Sequence, residues 1–243
     1  MPRFFVDSPP DDGVITVTGD DAHHIARSLR CAVGEHITVC HDGVVYECEL
    51  LSVRPECVRA GVLDSKKDDA ESPCRIRLYV ANPKGSKLDG IIQKATELGA
   101  DMIVPFISER CVSRPDTDSG EKRRSRESRI ALEAAKQCGR GTIPTVGALT
   151  DFARAVADAS ASDIALFAYE REDGVTLRDV IAGKLLPGVT VSVMTGPEGG
   201  FSPAEVKTAA DAGMIPCGLG HRILRCETAP LYVLSAIAYE AEL

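Results

Sequence analysis

No run of about 18 consecutive apolar residues occurs in the 243-residue sequence, so we expect no helix that spans a membrane. The first residues, MPRFFVDSPPDDG, include acidic side chains and no apolar core of a signal peptide, so we expect no export. An apolar content of 44% and a charged content of 26% are ordinary for a globular protein. The length predicts one large domain or two smaller ones.

Paired cysteine motifs are also missing. The nine cysteines are scattered, odd in number and never spaced C-x-x-C, which argues against a disulfide framework and against a zinc knuckle. Reduced thiols and a cytoplasmic location are therefore expected. No histidine or aspartate neighbours Glu198 at the spacing of metal ligands, so we expect no metal site.

Two familiar nucleotide-binding fingerprints are absent. The segment GPEGG at 196–200 is not G-x-G-x-x-G, and no G-x-x-x-x-G-K-[ST] occurs. The segment NPKGSK at 82–87 imitates a phosphate-binding loop only superficially. A dinucleotide or a nucleoside triphosphate is therefore not the expected ligand.

The net charge of −8 speaks against a nucleic-acid partner, but the charge is unevenly distributed. Residues 110–140 contain nine lysines and arginines against five acidic residues. A local basic stripe of this kind can bind phosphates even in an acidic protein. The charge alone favours the simpler interpretation, which is a helix face exposed to water.

The first seventy residues contain short strand-like segments and one helix. The segment HITVCHDGVVYECELLSV predicts a hairpin that turns at Asp42-Gly43, and GDDAHHIARSLR at 19–30 has the apolar spacing of a helix. This pattern predicts a small β-barrel over 1–70. The polar, charged segment at 64–73 ends in proline and is the expected linker.

From Arg75 onward, strand-like and helical segments alternate. Near-continuous apolar strands such as RIRLYVA and VTVSVMT are separated by helices, and the first helix is expected over 86–98. Strands of this kind are buried on both faces. The sequence therefore predicts an α/β fold over 75–243, with a parallel sheet covered by helices.

Three loops of this sheet form the expected ligand site, because ligands of parallel sheets bind beyond the carboxyl ends of the strands. These loops follow Tyr169, Thr195 and Leu219. The second contains GPEGG, whose glycines allow the backbone to approach a ligand closely. A helix then begins, with Ser202 as its cap and Glu205 completing a capping box.

The third loop, LGHRILRCETA at 219–229, brings two arginines and an acidic residue into a segment with buried character. Considered alone, Arg222 and Arg225 are best explained by ion pairs with Glu227 or Glu198. Two glycine turns after two adjacent strands also predict a cleft lined by backbone, which could wrap a bent small molecule.

The pair GPEGGFSPAE and LGHRILRCETA closely resembles the paired signature of the RsmE family, the 16S rRNA uracil-N3 methyltransferases of the SPOUT superfamily. The resemblance covers nearly the whole chain through four further segments in the family's order: GDDAHHIARSLR, PKGSKLDGIIQKATELGA, ISERCV and EAAKQCGR. The sequence departs from the family at His221 and Cys226, where proline and threonine are expected. Because His221 lacks the fixed φ of proline, we expect a looser loop and a changed cofactor affinity.

The resemblance implies a fold and a cofactor. The barrel over 1–70 resembles a PUA-like RNA-binding domain, and 75–243 resembles a SPOUT domain, an α/β fold whose carboxyl end forms a trefoil knot. The implied cofactor is S-adenosylmethionine, bent within the knot. Its implied contacts are Tyr169, Thr195, Gly196, Pro197, Glu198, Gly199, Gly200, Leu219, Gly220, Ile223, Leu224, Arg225, Glu227, Thr228 and Ala229.

A homodimer with active sites at the subunit interface is also implied by the resemblance. The final helix, APLYVLSAIAYEA, supports this independently, because it is apolar nearly all round and should be covered on both sides. Burial within one subunit explains the same pattern equally well.

The implied reaction transfers a methyl group to N3 of a uridine in the 16S rRNA of the small ribosomal subunit. Arg225 is the candidate for stabilising the uracil anion, and Glu198 for positioning the sulfonium or accepting the N3 proton. Both could instead be structural partners. The expected RNA contacts are Arg3, His23, His24, Arg27, Arg30, Lys84, Lys87, Arg110 and Arg114, together with the basic cluster at 122–129.

Two other functions stay open at this point. A SPOUT relative could methylate another RNA base or a ribose 2′-hydroxyl. Alternatively, the chain could be a non-catalytic RNA-binding or assembly factor. Retention of GPEGG and ILRCETA weighs against the non-catalytic alternative.

Overall fold

The computed structural model describes residues 3–114 and 120–243. The chain divides into two compact units. The first runs to Glu71 and also includes Ala135–Thr142, and the second contains Ser72–Ala134 and Ile143–Leu243. In the described ranges, no helix is both long and apolar enough to cross a lipid bilayer.

The first unit is built on a curled five-stranded sheet with the strand order β1-β3-β4-β5-β2. Strands β1 and β3 pair in parallel, and the other pairs are antiparallel. The predicted hairpin is confirmed, because β3 and β4 pair directly across Asp42-Gly43. The strands are β1 (Arg3–Phe5), β2 (Val14–Thr18), β3 (His36–His41), β4 (Val44–Arg54) and β5 (Cys57–Lys67).

The helix predicted over 19–30 is present as α1 (Gly19–His23), which continues directly into a π-helical segment, His24–Leu29. Ile25 is buried on the inner face, as its spacing predicts, but Leu29 is 41% exposed. Leu29 follows Ile25 by four positions, a spacing that in an α-helix would put both side chains on the same face. The i→i+5 bonding of a π-helix changes the angle between successive side chains, so the period of an α-helix no longer applies there.

The segment predicted as a linker, 64–73, is partly strand, and this part of the prediction is wrong. Strand β5 continues to Lys67, and the next residue, Asp68, is buried. The carboxylate of Asp68 accepts a hydrogen bond from the Gly141 amide, and Glu71 pairs with the buried guanidinium of Arg140 at 2.5 Å. Local composition could not reveal these contacts, because both partners come from a distant part of the chain.

The second unit is built on a sheet with the order β12-β10-β11-β6-β7-β8, in which β9 also pairs with β7. All of its strand pairs are parallel, as predicted. The strands are β6 (Arg75–Ala81), β7 (Met102–Ile107), β8 (Thr145–Val146), β9 (Thr150–Asp151), β10 (Ile164–Ala168), β11 (Thr190–Thr195) and β12 (Ile215–Cys217).

Helices cover both faces of this sheet, which confirms the predicted α/β class. Leu78 of β6 lies in a core with α2, α5 and α7, whereas the next residue, Tyr79, lies in a core with α4 and α6. Alternate residues of one strand thus enter different cores. The helices are α2 (Lys87–Glu97), α3 (Gly120–Cys138), α4 (Phe152–Ala159), α5 (Leu177–Ile181), α6 (Pro203–Asp211) and α7 (Thr228–Glu242).

The strand order corrects one expectation about the loops. The sequence suggested that the two glycine turns follow adjacent strands, but β10 lies between β11 and β12. Because β10, β11 and β12 are parallel, the loops that follow them still leave the same edge of the sheet.

Candidate functional site

A cavity of about 490 Å³ lies at the carboxyl edge of the parallel sheet. Its walls come from the loops that follow β10, β11 and β12 and from the first turns of two helices, α2 and α7. The lining residues are Lys87, Ala168, Tyr169, Glu170, Gly196, Pro197, Glu198, Gly199, Gly200, Phe201, Leu219, Gly220, Arg222, Ile223, Leu224, Arg225, Cys226 and Ala229.

The loop after β11 presents nearly bare backbone to this cavity. Gly200 has a φ of +66°, and a Cβ atom at this position would lie 2.7 Å from Glu170 Oε1. A side chain is therefore opposed both by the backbone conformation and by the facing wall. The predicted capping box of α6 is confirmed, since the Ser202 amide donates to Glu205 Oε2 at 2.9 Å. This box fixes the end of the loop.

The loop after β12 supplies much of the remaining wall. Gly220 has a φ of +99°, which favours glycine and turns the chain sharply after Leu219. Further along, the Arg225 carbonyl accepts hydrogen bonds from the amides of Thr228 and Ala229, at 2.8 and 2.9 Å. These bonds join the loop to the first turn of α7.

Lys87, the first residue of α2, connects the two loops. Its Nζ lies 3.2 Å from Glu198 Oε1 and 3.1 Å from Glu227 Oε2. The Lys84 amide donates a further hydrogen bond to Glu198 at 3.1 Å. The Sγ atom of Cys226 lies 3.6 Å from the same ammonium nitrogen. One cation thus contacts two carboxylates and a thiol.

These contacts determine the protonation states of the two carboxylates and the thiol at the cavity. Hydrogen bonds from its own amide, from the Cys226 thiol and from Lys87 lower the pKa of Glu227 to about 2. Burial alone would raise the pKa of Glu198, but hydrogen bonds from its own amide, from Lys84 and from Lys87 lower it overall. Burial and the bond to Glu227 raise the pKa of Cys226 to about 12. At neutral pH both carboxylates are therefore ionised and the thiol is protonated.

The two arginines of the third loop do not take the partners that the sequence suggested. Within residues 3–114 and 120–243, neither Arg222 nor Arg225 forms an ion pair, since Glu198 and Glu227 pair with Lys87. Arg225 is exposed at the cavity wall. Its guanidinium group is thus available to a ligand.

Comparisons with known proteins assign this chain to a family. The family described as an RNA methyltransferase domain matches residues 70–238, and the RNA methyltransferase PUA domain matches residues 17–57. Ribosomal RNA small subunit methyltransferase E of Bacillus subtilis (strain 168) is 36% identical over 251 residues, covering 100% of this chain and 98% of that protein. This chain belongs to the ribosomal RNA small subunit methyltransferase E family.

Solved structures agree with membership of the methyltransferase E family. A crystal structure described as that of a hypothetical protein has a TM-score of 0.92 and 36% identity, covering 99% of this chain and 98% of that one. The methyltransferase E of Neisseria gonorrhoeae, solved bound to S-adenosyl methionine, has a TM-score of 0.86 and 31% identity, covering 98% and 97%. A small PUA-like sheet with a parallel α/β sheet is thereby confirmed.

The cavity brings together most of the cofactor contacts implied for a methyltransferase E. Three of them do not line it. Thr195 is buried at the end of β11, and its hydroxyl oxygen has no hydrogen-bond partner in the described part of the chain. Glu227 is engaged by Lys87, and Thr228 begins α7.

Six lining residues were not expected from the sequence as cofactor contacts. Five of them directly follow or precede expected residues, so their position in the chain was the available signal: Ala168, Glu170, Phe201, Arg222 and Cys226. The sixth, Lys87, was expected to contact RNA. Its place in the cavity follows from the sheet topology, because β6 and β11 are parallel neighbours and the loops that follow them leave the same edge of the sheet.

Candidate RNA contacts of the first unit are mostly exposed. The side chain of His24 is exposed rather than in the barrel core, and its ring is tilted by 57° to that of Phe4, with 6.4 Å between ring centroids. Arg3 is largely buried and pairs with Asp68 at 3.8 Å. The exposed candidates are His23, His24, Arg27 and Arg30.

Some of the candidate RNA contacts of the second unit, among them Lys84 and Arg110, lie against the loop at 196–200. Lys84, Arg110 and Arg114 are exposed, and Arg110 Nη1 donates to the Gly199 carbonyl at 3.0 Å. The basic stripe at 110–140 is less open than its charge suggests. Arg126 pairs with Asp89 at 2.8 Å, and Arg140 is only 3% exposed beside Glu71. Residues 115–119 of this stripe lie outside the described residues.

Proposed function

We propose that this chain is an S-adenosylmethionine-dependent methyltransferase that methylates N3 of a uridine in the 16S rRNA of the small ribosomal subunit. The cavity carries the proposal, because it gathers from three loops most of the residues that the sequence resemblance implies as cofactor contacts. The Neisseria gonorrhoeae relative, solved with S-adenosyl methionine, supports the same cofactor.

The cavity fits S-adenosylmethionine in size and in chemistry. Its volume of about 490 Å³ lies in the range of about 300 to 1,000 Å³ that small-molecule sites occupy. Gly200 and Gly220 line the cavity without a side chain, so a ligand can approach the backbone closely there. Leu219 and Leu224 supply apolar walls suited to an adenine ring. Bound there, S-adenosylmethionine supplies an electrophilic methyl group.

Arg225 stabilises the charge that develops on the acceptor in this proposal. Uracil N3 becomes nucleophilic when its proton leaves, and the resulting negative charge spreads to the two adjacent oxygens. A guanidinium group held at the cavity wall favours this deprotonated form. The exposure of Arg225 and its lack of a carboxylate partner in the described ranges support this role.

Glu198 acts as a positioning group rather than as the proton acceptor. Its carboxylate already accepts hydrogen bonds from the Lys84 amide and the Lys87 ammonium, and its pKa lies below the ordinary value. A carboxylate of this kind binds a proton weakly. We therefore assign the N3 proton to a base of the bulk solvent, such as hydroxide or buffer, and Arg225 then favours the anion that remains.

We also propose separate roles for the two parts of the chain. Residues 1–70 bind RNA as a PUA-like barrel, and residues 75–243 bind the cofactor and carry out the transfer. The target base leaves its stack to reach the cavity, as bases do in other enzymes that modify them. Exposed basic residues supply the phosphate contacts: His23, His24, Arg27, Arg30, Lys84, Arg110 and Arg114.

A homodimer with a trefoil knot completes the proposed architecture. Tyr232 and Tyr239 are 43% and 70% exposed on one side of α7, while Val233 and Ile237 pack inward, which supports a second subunit on the outer side. The packing of α7 against α2 and β11, directly after the third loop, supports the knot. A ribosomal RNA substrate supports a cytoplasmic location.

The decisive experiment supplies the purified protein with methyl-labelled S-adenosylmethionine and small ribosomal subunits that lack the modification. We expect the label in 3-methyluridine after digestion of the 16S rRNA to nucleosides. Label in another base or in a ribose would favour a different methyltransferase specificity. Absence of labelling with no cofactor binding in calorimetry would favour a non-catalytic RNA-binding factor.

A further inference from the structure

Lys87 bridges two carboxylates that belong to different loops of the cavity. The residue begins α2, shortly after β6, and β6 pairs with β11. Glu198 lies in the loop after β11, whereas Glu227 immediately precedes α7. The ammonium nitrogen lies 3.2 Å from the first carboxylate and 3.1 Å from the second. A single side chain therefore connects three separate segments of the chain.

Without the Lys87 ammonium group, the carboxylates of Glu198 and Glu227 would repel each other. Both carboxylates contact the same nitrogen atom, so their negative charges lie close together. The side chains of Glu198 and Glu227 are 30% and 31% exposed, so water screens their interaction only in part. Removal of the cation would leave two like charges facing each other between the loops.

We propose that Lys87 is a positioning residue for the cofactor, whose ammonium group holds the loop at 196–200 and the loop at 219–227 at the separation that binds S-adenosylmethionine. The identity of the ligand rests on the function proposed above. The role itself rests on the two ion pairs. Lys87 thereby belongs to cofactor binding rather than to the RNA surface at which its sequence motif placed it.

Replacement of Lys87 tests the bridge directly. Lys87→Met keeps an unbranched apolar stem and removes the charge. By calorimetry on the full chain at neutral pH, we expect the dissociation constant for S-adenosylmethionine to rise about tenfold or more. Lys94→Met is the matched control on the same helix, because Lys94 pairs with Glu97 at 2.8 Å and does not line the cavity. Equal affinities for Lys87→Met and wild type would overturn the proposal.

The bridge also predicts a pH signature that a packing role would not produce. In Lys87→Met, protonation of one carboxylate relieves the repulsion as pH falls, so the ratio of variant to wild-type dissociation constants should fall as the pH is lowered from neutral towards about pH 5. The other charged or titratable groups at the site are present in both proteins, so their own titration affects both dissociation constants alike: Lys84, Tyr169, Glu170, Arg222, Arg225 and Cys226. A ratio that does not change with pH would contradict the electrostatic role.

A measurement without cofactor separates this proposal from the proposed function. Amide hydrogen exchange at 196–200 and 219–227 should be faster in Lys87→Met than in wild type or in Lys94→Met, because the loops lose their shared cation. Failure of the wild-type protein to bind S-adenosylmethionine would sink the proposed function. Unchanged exchange in both loops would instead sink the role of Lys87, whatever the cofactor does.

Discussion

Replacement of Gly200 by alanine tests the backbone wall of the cavity. Gly200 has a φ of +66°, where an alanine costs about 1–2 kcal/mol relative to glycine. The new Cβ atom would also lie 2.7 Å from Glu170 Oε1, so the Glu170 carboxylate must move. We expect the free energy of unfolding to fall by about 1–2 kcal/mol and the dissociation constant for S-adenosylmethionine to rise about tenfold.

Two further glycines provide matched controls for this change. Gly183 has a φ of +67° and nothing within 4 Å of an added Cβ, so Gly183→Ala isolates the backbone strain. Gly90 lies within α2, also with nothing within 4 Å, and Gly90→Ala should stabilise the protein by about 0.5–1 kcal/mol. Urea denaturation reports the stability of each variant, and calorimetric titration reports its cofactor affinity.

The comparison refutes the reasoning if Gly200→Ala binds S-adenosylmethionine as tightly as wild type. It also does so if Gly183→Ala loses the same affinity, because that position lies outside the cavity wall. Recovery of binding in the double variant Gly200→Ala/Glu170→Ala would assign the loss to the collision rather than to the backbone.

Four other predictions follow from the site and the surface. Arg225→Ala should abolish methyl transfer while the protein stays folded. The control Arg154→Ala, at an exposed arginine of α4, should transfer methyl groups at the wild-type rate. Wild-type methyl transfer by Arg225→Ala would remove Arg225 from the mechanism. Tyr239→Glu should convert the proposed dimer into a monomer in light scattering, because it places a charge on the exposed side of α7. Affinity for 16S rRNA should fall steeply as salt rises, and a flat response would count against the basic contacts. The pKa of Glu227 is about 2 in the folded protein, below its ordinary value of 4.5. The stability that this difference contributes is present above pH 4.5 and is lost as pH falls towards 2. Glu227→Gln should therefore remove this part of the acid dependence of the free energy of unfolding, measured by urea titration.

Local signals in the sequence predicted the elements of the fold well. The hairpin at Asp42-Gly43 and the capping box of Ser202 and Glu205 involve residues within a few positions of each other, so their geometry follows from local chemistry. The continuous apolar strands of the second unit predicted burial on both faces, and the two cores confirm it. Parallel pairing then located the loops at one edge.

Contacts between distant segments were not predictable in the same way. Asp68 and Glu71 occur in a charged stretch typical of a linker, yet their partners lie at 140–142, some seventy positions away. The order of β10 between β11 and β12 likewise depends on pairing that no local pattern encodes. The count of charges at 110–140 also overestimated the number of basic side chains open to phosphates, because Arg126 and Arg140 already have carboxylate partners.

In the candidate site, too, local motifs were predictable from the sequence and contacts between distant segments were not. The glycine loops were visible as motifs, and the cavity gathers most of their residues. Lys87 was visible only as part of a basic segment, and its bridge to Glu198 and Glu227 depends on the adjacency of β6 and β11. Its role had therefore to come from the three-dimensional arrangement.

The central claim is that the glycine-rich loop at 196–200 and the loop at 219–229 together bind S-adenosylmethionine. A crystal structure of this chain grown with S-adenosylhomocysteine, the demethylated form of the cofactor, tests it most directly. We expect the ligand in the cavity, with hydrogen bonds to backbone atoms of both loops and with its sulfur open towards Arg225. Ligand bound elsewhere, or contacts to only one of the two loops, would contradict the account.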